Sequence, residues 1–334
     1  MRCFHDSGQL AHAPALELHN GAFVPYFEKP ERAAAIAGSL GTLELPQDFG
    51  EAPINAVHDA GYIEFLKTAP ARWAEAGRPG DVMGYIWPTV RKRALKLDRI
   101  DALAGQYSID ASTPLTAATW DAAYRSVQSA LAATHAVLDG ERAAFALSRP
   151  PGHHAGVDYL GGYCYLNHAA IAAQAARDAG VERVAILDID YHHGNGTQDI
   201  FWERGDVFFA SVHADPATDF PFFWGHADER GEGAGEGATL NLPLPRGTGI
   251  DDFRRAQGKA LEAIAAFGAD LLLVSFGADT YAGDPISEFR IDTADYALLG
   301  ADIAGAGLPT AVLMEGGYAI DALGPNVASF LSRF

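Results

Sequence analysis

Cysteine is nearly absent. Cys3 and Cys164 are the only two in 334 residues, and they form no C-x-x-C pair. A disulfide framework is therefore not what holds this chain together. A chain of this length, 49% hydrophobic, buries enough core without one. Reduced thiols and a cytoplasmic setting are expected. Basic residues are also in short supply. The 24 Lys and Arg face 43 Asp and Glu, a formal net charge of −19. That balance argues against nucleic acid as a partner and for cationic small molecules. The one basic run, RKRALKLDR at 91–99, reads as a solvated or subunit-contact surface. No stretch approaches the ~20 apolar residues of a membrane span, so no membrane partner is expected. The opening MRCFHDSGQLAHAP has no apolar leader-like run. Repeats and low-complexity linkers are missing. The Gly-rich RGEGAGEG at 230–237 lacks the Lys-Ser/Thr of a phosphate loop.

What is present is an alternation. Short, nearly continuous apolar runs occur at 143–148, 183–189, 207–212, 270–276 and 310–316. Such runs suit strands of a parallel sheet covered on both faces. Helical segments at 119–140, 167–180 and 251–268 lie between several of them and end in Gly. The pattern predicts a layered α/β fold. The segment from 70 to 104 breaks the alternation, with Trp73, Tyr85 and Trp87 around a Pro-Gly pair. It reads as a long surface loop whose aromatics pack against a second subunit.

Ligands of open α/β sheets bind at the carboxyl ends of the strands. Polar clusters follow four of the predicted strands. His153 and His154 come in RPPGHHAG, Asp188, Asp190 and His192 in LDIDYHHGNG, Asp279 in GADT, and Tyr318 in EGGY. In extended backbone alternate residues share a side, so Asp188, Asp190 and His192 face together. Asp190 and His192 can grip one ion, and Asp279 can complete a three-ligand site. Three protein ligands with an open position is the pattern of a catalytic zinc. Two carboxylates and an imidazole also suit Fe2+ or Mn2+. A second adjacent ion would want a further carboxylate. Position 195 holds neutral Asn195 instead, so one divalent ion per chain is expected.

These motifs, together with GGYCYLNHAAIAA, LDIDYHHGNGTQDIF and SFGADT, resemble the histone deacetylase superfamily across roughly residues 14–330. The segments LELHNGAFVPYFEKPERAAAI, VHDAGYIEFL and FFASVHADPATDFPFFWG are similar to its bacterial acetylpolyamine branch. The resemblance implies the arginase–deacetylase fold: one α/β/α domain over 1–334 with a mainly parallel sheet of eight strands. It implies zinc on Asp190, His192 and Asp279. It makes His154 the general base and acid, His153 its electrostatic partner, Asp188 the carboxylate that orients His153, and Tyr318 the donor to the substrate carbonyl. Asn195 stands beside His154 where some relatives carry Asp. Potassium is implied at an inner site (Asp188, Ser211, and carbonyls of Asp190, His192 and Val212). An outer site would use carbonyls of Phe201, Arg204 and Val207.

By the same resemblance Tyr163 and Phe220 wall the substrate channel, and Gly162 lets the chain pass closely. Glu17 is an acidic residue at the pocket mouth, suited to a distal ammonium, and Asp110 a rim carboxylate for substrate N–H groups. Ser112 departs from the branch, standing where a further rim acid is expected, while Asp101 retains another acidic position. The implied activity is removal of acetyl groups from cationic diamines and polyamines by a homodimer whose 70–104 insertion narrows the channel. Rivals are a lysine deacetylase acting on peptides or proteins, a binuclear manganese ureohydrolase, and a catalytically silent acylamine-binding protein.

Overall fold

The computed structural model describes residues 1–88 and 96–334. Residues 91–95 of the basic run at 91–99, expected to be a solvated or subunit-contact surface, therefore lie outside the described residues. Among the described residues nine strands form: β1 (Arg2–Phe4), β2 (Leu16–His19), β3 (Ala22–Pro25), β4 (Ala143–Ala146), β5 (Val184–Asp188), β6 (Val207–Ala214), β7 (Thr239–Leu244), β8 (Leu271–Phe276) and β9 (Thr310–Met314). Seven make one parallel sheet in the order β1-β4-β9-β8-β5-β6-β7. The expected eight strands are thus seven. The remaining pair, β2 and β3, forms a separate antiparallel hairpin.

The α-helices of the described residues are α1 (Pro30–Leu40), α2 (Ala52–Asn55), α3 (Ala60–Glu75), α4 (Ile100–Gln106), α5 (Thr119–Leu138), α6 (His168–Asp178), α7 (Asn195–Phe201), α8 (Ile250–Phe267), α9 (Tyr296–Gly305) and α10 (Ile320–Leu331). Their placement follows from the two-residue period of the strands. Val184 and Ile186 of β5 join one core cluster with alanines of α5 and α6. Ala185 and Leu187 join another, with Ile36 of α1, Phe253 of α8, Ile303 of α9 and Phe330 of α10. One strand feeds two cores, which is why β5 reads as an unbroken apolar run. Phe276 of β8 stacks on Phe330 at a centroid distance of 4.0 Å, tying α10 to the sheet.

The predicted helix ends match the physical signals. Gly268 closes α8 in the left-handed region at φ 73, a conformation that glycine adopts without steric cost. The 70–104 segment is less irregular than expected, since α3 runs to Glu75 and α4 begins at Ile100. Trp73 is buried there, in a third cluster with Tyr62, Ile100 and Leu131. Trp87 donates its indole N–H to Ser108 Oγ at 3.1 Å. Tyr85 and Ile86 remain 67% and 61% exposed.

The chain leaves β4 for the middle of the sheet at β5, moves outward to β7, and returns beside β5 as β8. The carboxyl ends of β5 and β8 flank that reversal, where a crevice opens.

Candidate active site

The four expected clusters meet at that crevice. Asp190 and His192 follow β5, and Asp279 follows β8. Their ligand atoms all lie within 4.8 Å of one another. His192 Nδ1 is 3.2 Å from Asp279 Oδ2 and 3.4 Å from Asp190 Oδ1. Backbone closes the pocket on two sides. A Cβ at Gly277 would fall 2.0 Å from Asp190 Oδ2, and one at Gly316 2.5 Å from Asp279 Oδ2. Burial and the adjacent Asp190 charge push the Asp279 carboxyl up to about 7, against the pull of His192. Two carboxylates packed this closely in a dry pocket favour a cation between them. The set of two oxygens and one nitrogen fits a divalent ion with an open position.

The tandem histidines are held differently. His153 Nδ1 lies 2.9 Å from Asp188 Oδ2. Burial opposes charge on His153, but Asp188 and then Asp190 outweigh it and raise its pKa to about 10. His154 Nδ1 lies 2.7 Å from Asn195 Oδ1. The Asn195 amide nitrogen donates to the His154 carbonyl at 3.4 Å and to Tyr159 OH at 3.5 Å. That arrangement turns Oδ1 toward the ring, so Nδ1 carries the proton and Nε2 keeps its lone pair. Burial, then the charges of His153 and His192, hold the His154 pKa well below the usual histidine value. Burial keeps the Tyr318 hydroxyl protonated, although Arg32 works the other way.

Aromatic side chains pack around these groups. Phe220 meets His154 edge-on at 5.0 Å, and Tyr163 meets Tyr318 at 5.5 Å. A Cβ at Gly162, φ +52, would sit 2.1 Å from His154 Cδ2, so only glycine fits there. Tyr163 itself adopts φ 67, a strained state for a non-glycine residue costing about 1–3 kcal/mol. Its amide donates to Thr113 Oγ1 at 3.0 Å and its hydroxyl to Glu17 Oε1 at 2.9 Å.

That last bond corrects one expectation. Glu17 is 0% exposed and lies behind the aromatic wall, not at an open mouth. Its other oxygen accepts the Phe27 N–H at 3.2 Å. Burial pushes its carboxyl up to about 7 against these two bonds. Asp110 accepts the Gly162 and Ser112 amides at 2.6 and 2.9 Å. Asp101 is paired with Arg78 at 2.8 Å and Arg99 at 2.7 Å, which neutralises its charge. Of the potassium candidates, Asp188 and Ser211 are register partners on β5 and β6. Ser211 Oγ is 2.8 Å from His213 Nδ1. Phe201 ends α7 and accepts the Arg204 N–H at 3.0 Å, and Val207 and Val212 lie on β6.

Residues 26–334 match the family model of the histone deacetylase domain. The chain belongs to the histone deacetylase family. It is 50% identical over 328 residues to acetylpolyamine amidohydrolase 1 of Pseudomonas aeruginosa, covering 95% of this chain and 94% of that protein. It is 47% identical over 320 residues to the acetylpolyamine amidohydrolase of Mycoplana ramosa, covering 94% of each. The crystal structure of acetylpolyamine aminohydrolase from Burkholderia pseudomallei superposes with a TM-score of 0.95 at 42% identity, covering 100% of this chain and 98% of that one.

This deacetylase-family site also uses residues that its sequence did not announce. Glu315, in the EGGY motif, is fully buried. It accepts the amides of Gly152 and His153 at 2.7 and 3.2 Å and the Ser275 hydroxyl at 3.0 Å. With His153 and Cys164 it forms a second close group of ligand types. Three donors already face the Glu315 carboxylate, so that group is built to hold the histidine loop and not a cation. Arg32 donates to the carbonyls of Gly317 and Glu315 at 2.5 and 2.6 Å. Its guanidinium lies 4.8 Å from the Tyr318 ring centroid. Asp284 accepts three backbone amides. No motif marks Arg32 or Asp284, because both hold the site through backbone groups that every sequence has, and Glu315 sits inside EGGY, where Tyr318 is the residue with evident chemistry.

Proposed function

We propose that this chain is a zinc-dependent amidohydrolase that removes acetyl groups from N-acetylated diamines and polyamines, yielding free amine and acetate. Acetylputrescine, acetylcadaverine and acetylspermidine define the substrate class. One observation carries the reading: His153 anchored on Asp188, His154 anchored on Asn195 and the Tyr318 ring gather around a three-ligand pocket. The acetylpolyamine relatives, matched over nearly their whole length, support the amine class.

Asp190, His192 and Asp279 would hold one ion per chain, zinc or another divalent metal. When bound, it supplies Lewis acidity that polarises an amide carbonyl and makes water easier to deprotonate. The His154 Nε2 lone pair takes the proton as water oxygen bonds to the carbonyl carbon. The same nitrogen returns that proton to the amine as the C–N bond breaks. His153, anchored on Asp188, presents a fixed positive charge to the oxygen that gains electrons. The Tyr318 hydroxyl donates to that oxygen. Asn195 keeps His154 in the tautomer that leaves Nε2 free.

Tyr163 and Phe220 would line a slot for an unbranched acylamine. Glu17, behind Tyr163, is placed to add negative potential for a distal ammonium. We infer further that residues 1–334 act as one catalytic domain, with Tyr85 and Ile86 of the 70–104 segment packing against a second copy. A cytoplasmic setting and potassium near Asp188 and Ser211 belong to the same reading.

The decisive test is kcat/KM on N-acetylputrescine and on an acetyl-lysine peptide, in parallel. A preference for acetylputrescine supports the reading, and a preference for the peptide makes this a lysine deacetylase. Tyr318→Phe should lower kcat on the order of 10²–10³-fold. Metal analysis should find one divalent ion per chain.

A further inference from the structure

Tyr318 sits at the end of a backbone that has little intrinsic stiffness. Gly316 and Gly317 precede it, and Gly317 adopts φ 119. Neither glycine can be replaced freely. A Cβ at Gly316 would strike the Asp190 and Asp279 carboxylates, and one at Gly317 would lie 2.8 Å from Leu323 Cδ1. The pocket needs glycine for clearance, and glycine leaves the tyrosine loosely tethered. A hydroxyl that must donate to a developing oxyanion cannot wander, so something outside the motif has to fix it.

Gly316 itself is tied to Asp190 Oδ2 and to the Ala278 amide at 2.8 and 3.0 Å, and two side chains hold the backbone on either side of it. Arg32 takes the carbonyls of Glu315 and Gly317. Asp284 takes the amides. Its Oδ2 accepts Tyr318 N–H at 2.7 Å and Ala319 N–H at 3.3 Å, while Oδ1 accepts Ile286 N–H at 3.1 Å. Asp284 is 8% exposed. Two residues on, Ile286 packs on the cluster of Tyr26, Tyr163 and Tyr318. Ser287 donates its hydroxyl to the Asp279 carbonyl. The loop 279–287 therefore touches the ligand triad at one end and Tyr318 at the other.

We propose that Asp284 is a positioning residue for Tyr318, setting the place of its hydroxyl relative to the Asp190–His192–Asp279 pocket through the backbone amides of Tyr318 and Ala319. This rests on the reading of Tyr318 as the carbonyl donor. Asp284 touches no substrate. Its carboxylate acts as a clamp that closes a loop against a glycine hinge.

A double-mutant cycle tests this on zinc-loaded full-length protein with N-acetylputrescine. Asp284→Ala should lower kcat on the order of 10²-fold, as expected for a displaced catalytic group. KM should change by less than about threefold, because the lost contact matters in the transition state. Zinc content should stay at one per chain. In a Tyr318→Phe background, Asp284→Ala should cost nothing further, because the hydroxyl it positions is gone. Amide exchange at Tyr318 and Ala319 should quicken in Asp284→Ala and not in Tyr318→Phe. Asp284→Asn retains an acceptor oxygen for the Tyr318 amide and should recover part of kcat, which covers the case in which the alanine variant folds poorly. Independent losses in the cycle, an unchanged kcat in Asp284→Ala, or loss of zinc would overturn the assignment. An unchanged kcat in Tyr318→Phe would instead sink the reading of the site itself.

Discussion

Asn195 and aspartate differ by one heavy atom, and that atom sets the charge of His154. As Asn195, the partner accepts one hydrogen bond at 2.7 Å and adds no charge, so His154 stays neutral well below the usual histidine range. A carboxylate there would favour the imidazolium, typically raising the pKa by about 1–3 units. A general base works only when deprotonated. Asn195→Asp should therefore move the acid limb of the kcat/KM–pH profile upward by about that amount; a limb that stays put removes His154 as the base. Glu17 gives a second pH signature. Its carboxyl is raised to about 7 by burial, so it is neutral below that pH and ionised above. KM for a cationic acetylamine should fall as pH rises through 7, and Glu17→Gln should flatten that slope. The linked stability runs the other way. The unfolded chain releases this proton near the ordinary glutamate value of 4.5, and the fold retains it to about 7. Stability contributed by the protonated group therefore declines across that window, and Tm at pH 8 should rise in Glu17→Gln. At this scale the grouping of Asp190, His192 and Asp279, with His153 and His154 beside it, was legible in sequence, since these side-chain types stand at fixed spacing after strands. Glu17 was found as an acid but misplaced, because a sequence does not say whether a carboxylate opens to solvent or turns beneath a tyrosine.

The site depends equally on elements that carry no chemistry of their own. Gly316 follows β9 closely enough for its N–H to donate to Asp190 Oδ2 at 2.8 Å. Gly316→Ala would drive a methyl group into both ligand carboxylates. The expected outcome is a folded protein with lost zinc affinity, read as an unchanged circular-dichroism spectrum beside metal content well below one per chain. Full occupancy in that variant would show that the triad is not the metal site. The central strands were legible for a simple reason: β4, β5, β8 and β9 are buried throughout, which forces continuous apolar runs. The edges were not. Strand β1 has three residues, and β7 alternates buried and half-buried positions from Thr239 to Leu242 and stays half-buried through Pro243 and Leu244. Edge strands cover one face or none, so their composition is closer to that of loops. The 70–104 segment misled in the opposite sense, since Trp73 is core and its stretch of chain belongs to α3.

Across the whole molecule, charge has one sign. A net −19 on 334 residues sets up a negative field at distances where no single carboxylate matters. Such a field concentrates cations near the surface and speeds their capture. Salt shortens its reach, from a Debye length of about 10 Å at 0.1 M to about 3 Å at 1 M. Buried groups are screened far less. Raising ionic strength should therefore lower kcat/KM for N-acetylputrescine chiefly through capture, with kcat nearly constant. N-butylacetamide has the same chain without the ammonium and should show little salt dependence. Stopped-flow or steady-state rates on the two compounds, from low salt to 1 M, decide the matter. Equal salt dependence for both would mean that the acidic surface has no part in selecting cationic amines, and that selectivity resides wholly in the slot proposed between Tyr163 and Phe220.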